Sequence, residues 1–230
     1  MTGNLLLSVD TTTPSGSVAL LRNTVLLSEV NCDSSLTYSE RLLPAIHYIL
    51  ETQGLESRDI DAFALAVGPG SFTGIRIGVS TIKSLGLASG KLIAPVSSVE
   101  AYALKLHMQG SRLVCPFLDA KKGEVYAALS ESQGGQIKEI IAQDSYSPDS
   151  ILSRLPSHRI IDFIGNGVGV YREKIVSYLK DKARLSSRSL FIAREVGLLG
   201  YNALKENRGL QSGDVKPLYF RKSQAEENNQ

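Results

Sequence analysis

Two aspartates follow apolar runs, where a fold would place them at the ends of strands. Asp10 comes after Leu5–Val9, and Asp119 comes after an apolar run that ends at Leu118. A short polar turn with a glycine and then a second apolar run follow each aspartate. Carboxylates placed in this way could hold Mg²⁺ or a water molecule beside phosphate groups. They could equally cap their turns by hydrogen bonds, and we favour this second interpretation.

A phosphate ligand would lie against the two turns that follow these aspartates. Thr11, Thr12 and Lys121 are the side chains placed there, while Gly165 and Gly167 could flank an adenosine-like group. A solvated lysine and a glycine turn that opens a helix are the simpler interpretations of the same residues. Phosphoryl transfer needs a metal, a phosphate cradle and a base together, and the sequence offers no such complete set.

Other common catalytic patterns do not occur in the sequence. There is no Walker A loop, no His-Glu-x-x-His motif and no nucleophile elbow around Ser71. The only histidines are His47, His107 and His158, and none has a second ligand at helical spacing. We therefore predict no metal site.

A glycine-rich segment, Val67–Gly78, joins a buried strand to a helix. The apolar run Ala62–Val67 predicts the strand, and Ser71 or Thr73 could cap the helix that follows. A helix opening in this way also offers free N–H groups to an anion.

Glycines then recur along that helix at intervals of four or eight residues, at Gly74, Gly78, Gly86 and Gly90. Ile82 occupies the position between Gly78 and Gly86 in this stripe. Each glycine inside a helix costs about 1 kcal/mol relative to alanine, so we expect another backbone to pack against the stripe. Packing on the sheet of the same chain is the interpretation that the spacing favours. A helix–helix interface with a second chain is the alternative.

The order of elements suggests a duplicated fold. The chain opens with three antiparallel strands, and a helix from about Ser39 follows, with apolar residues at helical spacing. The second half repeats strand, aspartate, turn and strand, and then reaches the glycine loop Gly165–Gly169 and a helix to Leu179. We predict an α/β protein with a cleft between two lobes, residues 1–97 and 98–221. The second lobe includes a final helix at about Ser189–Asn207, which could pack across either lobe, and residues 222–230 form a disordered tail.

Composition limits the class of protein. The chain has 230 residues, of which 43% are hydrophobic, and a net charge of +2. This mild charge alone does not indicate a nucleic-acid-binding protein. Cys32 and Cys115 are far apart and do not form a disulfide framework. The first apolar run ends at Asp10, too short for a signal peptide or a membrane span, so we expect a cytoplasmic protein.

Five segments together resemble the TsaB (YeaZ) family. They are Ser8–Thr11, Tyr38–Pro44, Gly68–Arg76, Asp119–Tyr126 and Pro217–Arg221. The resemblance implies an actin/Hsp70/sugar-kinase-like fold of two lobes. It also implies a non-catalytic partner in threonylcarbamoyladenosine formation at adenosine 37 of tRNA, beside a homologous catalytic subunit, TsaD, and an ATPase, TsaE. No cofactor is expected to bind strongly to this chain, and ATP, ADP or Mg²⁺ would bind only in the complex.

The resemblance further implies which helices meet the partner. The helix from about Ser39 and the glycine-striped helix would pair with their counterparts in the catalytic subunit, and a homodimer could use the same patch. The implied interface residues are Tyr38, Leu42, Ile46, Ile49, Leu50, Gly74, Gly78 and Ile82.

The helix from about Ser39 also indicates which chemistry this chain lacks. The catalytic homologue carries a metal-binding histidine pair on the equivalent helix, whereas this chain has Tyr38 and Leu42, which cannot replace it. Tyr38 also stands where many family members have histidine. A small ATPase or kinase of the same fold is the alternative function, and a nucleic-acid-binding module ranks third.

Overall fold

The computed structural model describes residues 3–33, 38–134 and 136–220. The predicted disordered tail 222–230 and Arg221 of the last family segment lie outside these residues. The chain divides into two compact units. The first holds the residues up to 101 together with 191–219, and the second holds 102–190 together with residue 220.

The first unit is built on a five-stranded mixed sheet. Its strands are β1 (Leu5–Asp10), β2 (Ser15–Arg22), β3 (Val25–Asp33), β4 (Ala62–Gly68) and β5 (Ile93–Ser97). They lie in the order β3-β2-β1-β4-β5. The first three pair antiparallel, as predicted, and β4 and β5 continue the sheet parallel to β1.

Helices follow the strands in both units. They are α1 (Tyr38–Glu51), α2 (Phe72–Ser89), α3 (Ser98–His107), α4 (Pro148–Arg154), α5 (Gly167–Val170), α6 (Arg172–Leu179) and α7 (Ala193–Lys205). Among the residues that the structure describes, no helix is both long and apolar enough to cross a bilayer.

Alternation along β1 explains how helices cover the two faces of the first sheet. Leu5, Leu7 and Val9 point to one face and join the core formed with α1 and α2. Ser8 points to the other face, where its hydroxyl donates a hydrogen bond to the Ala193 carbonyl of α7 at 2.7 Å. The sheet is therefore buried on both sides, which fits its nearly uniform apolar strands.

The final helix corrects the predicted division into lobes. The sequence analysis listed it with the second lobe and left open which lobe it packs on, whereas α7 packs on β1, β2 and β4 of the first unit. Gly197 faces Leu21, and Gly200 faces Ala64, so the helix can approach the sheet closely. Helical periodicity predicted an amphipathic helix but carried no information about which sheet its small residues fit.

The second unit repeats the plan of the first. Its strands are β6 (Leu113–Lys121), β7 (Glu124–Gln133), β8 (Gln136–Tyr146), β9 (Ile161–Ile164) and β10 (Ala183–Leu185), in the order β10-β9-β6-β7-β8. As in the first unit, the strand that carries the aspartate at or near its end lies between an antiparallel and a parallel neighbour; β6 runs two residues beyond Asp119. The predicted duplication and the actin/Hsp70/sugar-kinase-like fold class are confirmed. The three-residue strand β10 was not predicted.

Candidate functional site

The turn after Asp10 is closed by its own hydrogen bonds. Asp10 is fully buried, and its Oδ1 accepts hydrogen bonds from the Thr12 N–H at 2.9 Å and the Thr12 hydroxyl at 2.7 Å. The Thr11 hydroxyl donates to the Gly74 carbonyl at 2.8 Å. The turn therefore has the capping architecture that the sequence analysis favoured, and both threonine side chains are committed to bonds inside the chain.

The second oxygen of the Asp10 carboxyl group has a different environment. Asp10 Oδ2 is buried, and no hydrogen bond reaches it from the described residues. Burial raises the pKa of Asp10 to about 6, although the two hydrogen bonds from Thr12 act in the opposite direction. The carboxyl group therefore titrates close to neutral pH, inside the core and away from bulk water.

The glycine-rich segment covers this turn from the side of α2. The Ser71 N–H donates to the Thr12 carbonyl at 2.7 Å, and Ser71 caps α2 as predicted, with its hydroxyl accepting from the Gly74 N–H at 3.3 Å. A Cβ atom on Gly74 would overlap the Thr11 carbonyl oxygen, and one on Gly78 would overlap the Thr11 hydroxyl. These glycines are needed because the turn lies directly against the helix.

The glycine stripe therefore packs inside the first unit, the interpretation that its spacing favoured. Gly86 faces Ile93 of β5, and Gly90 ends the helix with φ of 68°. Ile82 is fully buried in the core. Gly74, Gly78 and Ile82, which the resemblance assigned to a partner interface, all meet atoms of their own unit.

Helix α1 is tied to the same turn by its first residues. The Tyr38 hydroxyl donates to the Thr13 carbonyl, and Arg41 donates to the carbonyls of Pro14 and Cys32, each at 2.9 Å. The Arg41 guanidinium also lies 4.1 Å from the Tyr38 ring centroid, and burial raises the pKa of Tyr38. The Tyr38 ring occupies the space that a side chain at Gly16 would need. Tyr38 thus contacts the turn of its own unit.

The α1 residues that were assigned to the partner lie on its buried face, and other residues lie on its exposed face. The residues assigned to the partner, Leu42, Ile46, Ile49 and Leu50, are all buried in the core of the first unit. The residues exposed on this helix include Leu43 and Tyr48, with 53% and 58% of their surface accessible. Helical spacing alone could have identified them, because both fall between the buried positions on the opposite face.

The corresponding turn of the second unit also has internal partners. Asp119 accepts hydrogen bonds from the backbone N–H of Lys121 at 2.9 Å and from its ammonium group at 2.7 Å. Asp119 raises the pKa of Lys121 through that bond. Side chains at Gly165 or Gly167 would overlap the Phe117 carbonyl, so these glycines let their loop lie on β6. The simpler interpretation of this loop accounts for both glycines.

The first turn does not fit the phosphates of a nucleotide. The Thr11 and Thr12 hydroxyl groups already have partners, Asp10 is buried, and the Ser71 N–H at the start of α2 bonds to the backbone of the turn. Within 3–33, 38–134 and 136–220, no group of three His, Cys, Asp or Glu side chains could hold a metal ion. We therefore assign no nucleotide-dependent step to this turn.

Comparisons with known proteins identify the family. The family model described as "TsaD: tRNA N6-adenosine threonylcarbamoyltransferase" matches residues 32–228. The "tRNA threonylcarbamoyladenosine biosynthesis protein TsaB" of Bacillus subtilis is 28% identical over 225 residues, 96% of each chain. TsaB of Escherichia coli is 36% identical over 127 residues, which are 54% of this chain and 53% of that one.

The solved structures agree with these relatives. YeaZ from Pseudomonas aeruginosa has a TM-score of 0.81 at 26% identity, and the match covers 94% of this chain and 99% of that one. A second Pseudomonas aeruginosa structure, titled as similar to peptidase YEAZ, has a TM-score of 0.83 at 27% identity and covers 95% and 100%. Fold, sequence motifs and relatives lead to one assignment: the chain belongs to the threonylcarbamoyltransferase family that the model describes and, within it, to the TsaB (YeaZ) family.

Proposed function

We propose that this chain is a non-catalytic subunit for threonylcarbamoyladenosine formation on tRNA in the cytoplasm. In this proposal it binds and stabilises a TsaD-like catalytic subunit and acts together with a TsaE-like ATPase. The names of the relatives support a role in threonylcarbamoyladenosine formation on tRNA. ATP, ADP and Mg²⁺ would be bound by the assembled complex and not strongly by this chain alone.

The closed turn after Asp10 is the observation that carries the non-catalytic role. A carboxylate that activates water or holds a metal beside phosphates must reach those groups, whereas Asp10 has no accessible surface. Opening the turn would break the Thr11 and Thr12 hydrogen bonds and separate it from α2. The same contacts give the first unit a fixed surface beside α1, which suits a binding role.

We place the partner surface on the outward face of α1. Leu43, Pro44 and Tyr48 are exposed there, and Tyr38 and Arg41 fix the start of the helix on the turn. Apolar groups on a surface are covered favourably when a partner helix packs on them. A homodimer of the free chain could use the same face, because a two-fold axis makes a surface self-complementary.

A stand-alone ATPase or kinase of the same fold is the alternative from a different class. Such an enzyme would turn over ATP when pure, and a substitution at Asp10 would abolish that turnover. The buried position of Asp10 argues against it.

A modification assay with purified components tests the proposed function. Threonylcarbamoyladenosine formation on an unmodified tRNA transcript should require this chain in addition to the catalytic subunit and the ATPase. This chain alone, supplied with ATP, Mg²⁺ and tRNA, should give background rates. Equal rates with and without this chain would overturn the proposal.

A further inference from the structure

Two aromatic rings and a guanidinium group are stacked at the start of α2. The rings of Phe72 and Tyr219 have centroids 4.7 Å apart and planes inclined by 27°. The Arg76 guanidinium carbon lies 3.9 Å from the Phe72 centroid. Tyr219 remains 40% exposed, and Arg76 is exposed as well. Phe72 and Arg76 are one helical turn apart, so the helix itself fixes this pair.

The segment that carries Tyr219 is held firmly on the first unit. The Leu218 N–H donates to the Val67 carbonyl of β4 at 2.8 Å. The ammonium group of Lys83, on α2, donates to the Val215 carbonyl at 3.1 Å, and the Val215 side chain is buried in the core. Tyr219 is therefore presented from a fixed backbone, which lowers the entropic cost of binding a ligand on its ring.

The two segments that form this stack contain more basic than acidic residues, although the whole chain has a net charge of only +2. No acidic residue lies between Asp61 and Glu100, a stretch that contains Arg76, Lys83 and Lys91. In the segment 207–220, Asp214 is the single acidic residue, Lys216 is exposed, and Arg208 is paired with Glu206. An anionic ligand would thus find an attractive local field here.

We infer that Phe72, Arg76, Lys216 and Tyr219, here called the aromatic platform, bind a single-stranded segment of the substrate tRNA. Single-stranded RNA is bound by stacking its bases on aromatic or guanidinium planes while basic side chains pair with its phosphates. An unpaired base stacks on the exposed face of Tyr219, and Arg76 and Lys216 contact the adjoining phosphates. The inference rests on the proposed function, in which tRNA is the substrate, and adds that this chain contacts the RNA directly.

The test measures tRNA affinity of the complex formed by this chain and its catalytic subunit. Fluorescence anisotropy with a labelled, unmodified tRNA transcript compares wild type with Tyr219→Ala, Tyr219→Phe and Tyr178→Ala. Tyr178 is the matched control, because its exposed fraction of 41% nearly equals that of Tyr219 and it lies on α6 of the other unit. We expect Tyr219→Ala to weaken binding about tenfold, whereas Tyr219→Phe, which keeps the ring, and Tyr178→Ala change it less than about twofold.

Salt dependence separates the charged part of the platform from its stacking part. Arg76→Gln should reduce the slope of log affinity against log salt by about 0.7, the loss of one single-strand phosphate contact. Tyr219→Ala should leave that slope unchanged. Identical slopes for Arg76→Gln and wild type would remove Arg76 from the RNA contact and overturn the assignment of the platform.

Cross-linking keeps the inference testable if a variant fails to fold. The wild-type complex, irradiated with a tRNA that carries 4-thiouridine, should yield a cross-linked peptide containing Tyr219. Absence of that peptide, or wild-type affinity of a folded Tyr219→Ala complex, would overturn the inference. If modification still depends on this chain in that case, the proposed function stands. If modification does not depend on this chain, the proposed function fails by itself.

Discussion

Asp10 makes the stability of the first unit depend on pH. Its pKa is raised from 3.8 to about 6 by burial, so the folded state holds the proton more tightly than the unfolded state does. The stability that the protonated Asp10 contributes is therefore fully present below the pKa of the unfolded state, and it is lost as pH rises through about 6. Between about pH 4.5 and about pH 7.5 this loss amounts to roughly 2 kcal/mol.

Replacing Asp10 by asparagine should remove this dependence. Urea unfolding gives the free energy of unfolding of Asp10→Asn and of wild type at both pH values. The difference, variant minus wild type, should be roughly 2 kcal/mol more positive at the higher pH. Asp149→Asn is the control, because Lys174 holds the pKa of the exposed Asp149 below its ordinary value, outside this range. If the difference between Asp10→Asn and wild type is the same at both pH values, Asp10 does not titrate in the folded core.

Two helical glycines give a matched test of packing at the level of single atoms. A Cβ atom on Gly74 would overlap the Thr11 carbonyl, whereas one on Gly169 would meet nothing within 4 Å. Gly74→Ala should therefore destabilise the protein by about 2 kcal/mol, since overpacking outweighs the gain in helix propensity. Gly169→Ala should be neutral or slightly stabilising. Chemical denaturation measures both, and equal effects would show that α2 does not require glycine at the turn.

Sequence reasoning identified these residues but not all of their surroundings. The strand-ending aspartates and the regular glycines are visible in the amino-acid order because each has a local reason, a turn or a helix face. That Asp10 would be fully buried and Gly74 would meet Thr11 depends on contacts across 63 positions in the chain. Local patterns contain no information on such contacts.

At the scale of elements, α1 packs one face in the core of its own unit and exposes the other, which we propose binds the catalytic subunit. Tyr48→Asp places a charge on the exposed face, and we expect it to weaken binding of the catalytic subunit by about 2 kcal/mol, the size of a hot-spot loss. Isothermal titration calorimetry measures this change. Val25→Asp is the control, because Val25 is similarly exposed, at 63%, but lies on β3. Equal affinities for wild type and a folded Tyr48→Asp would move the interface away from this face.

Element types were easier to predict than element partners. The three opening strands, α1 and α2 have strong periodicity and clear turn residues, and all of them are present. The three-residue β10 is too short to produce a pattern. Helix α7 was predicted as a helix and listed with the second lobe, but the unit it packs on was left open, because helical spacing defines a face and not the surface that the face covers. The α1 residues assigned to a partner pack in the core of the first unit, and helical spacing alone could not indicate this either.

At the scale of the molecule, two units share one strand order but differ in the chemistry of their turns. In the first, Asp10 is buried and bonded to Thr12, whereas in the second Asp119 pairs with the ammonium group of the exposed Lys121. Duplication was predictable because both halves repeat the same order of motifs. The difference between the two turns was not, since it depends on the loop that packs over each one.

We propose that this chain supports tRNA modification without performing the chemistry, and a comparison of modification rates tests this proposal. The rate of threonylcarbamoyladenosine formation is compared in reactions reconstituted with wild type and with Asp10→Asn, after calorimetry has confirmed that both bind the catalytic subunit equally. We expect the two rates to agree within about twofold, because Asp10 is buried and cannot reach a reacting group. A loss of about 100-fold or more, the size expected when a general acid or base is removed, would contradict it.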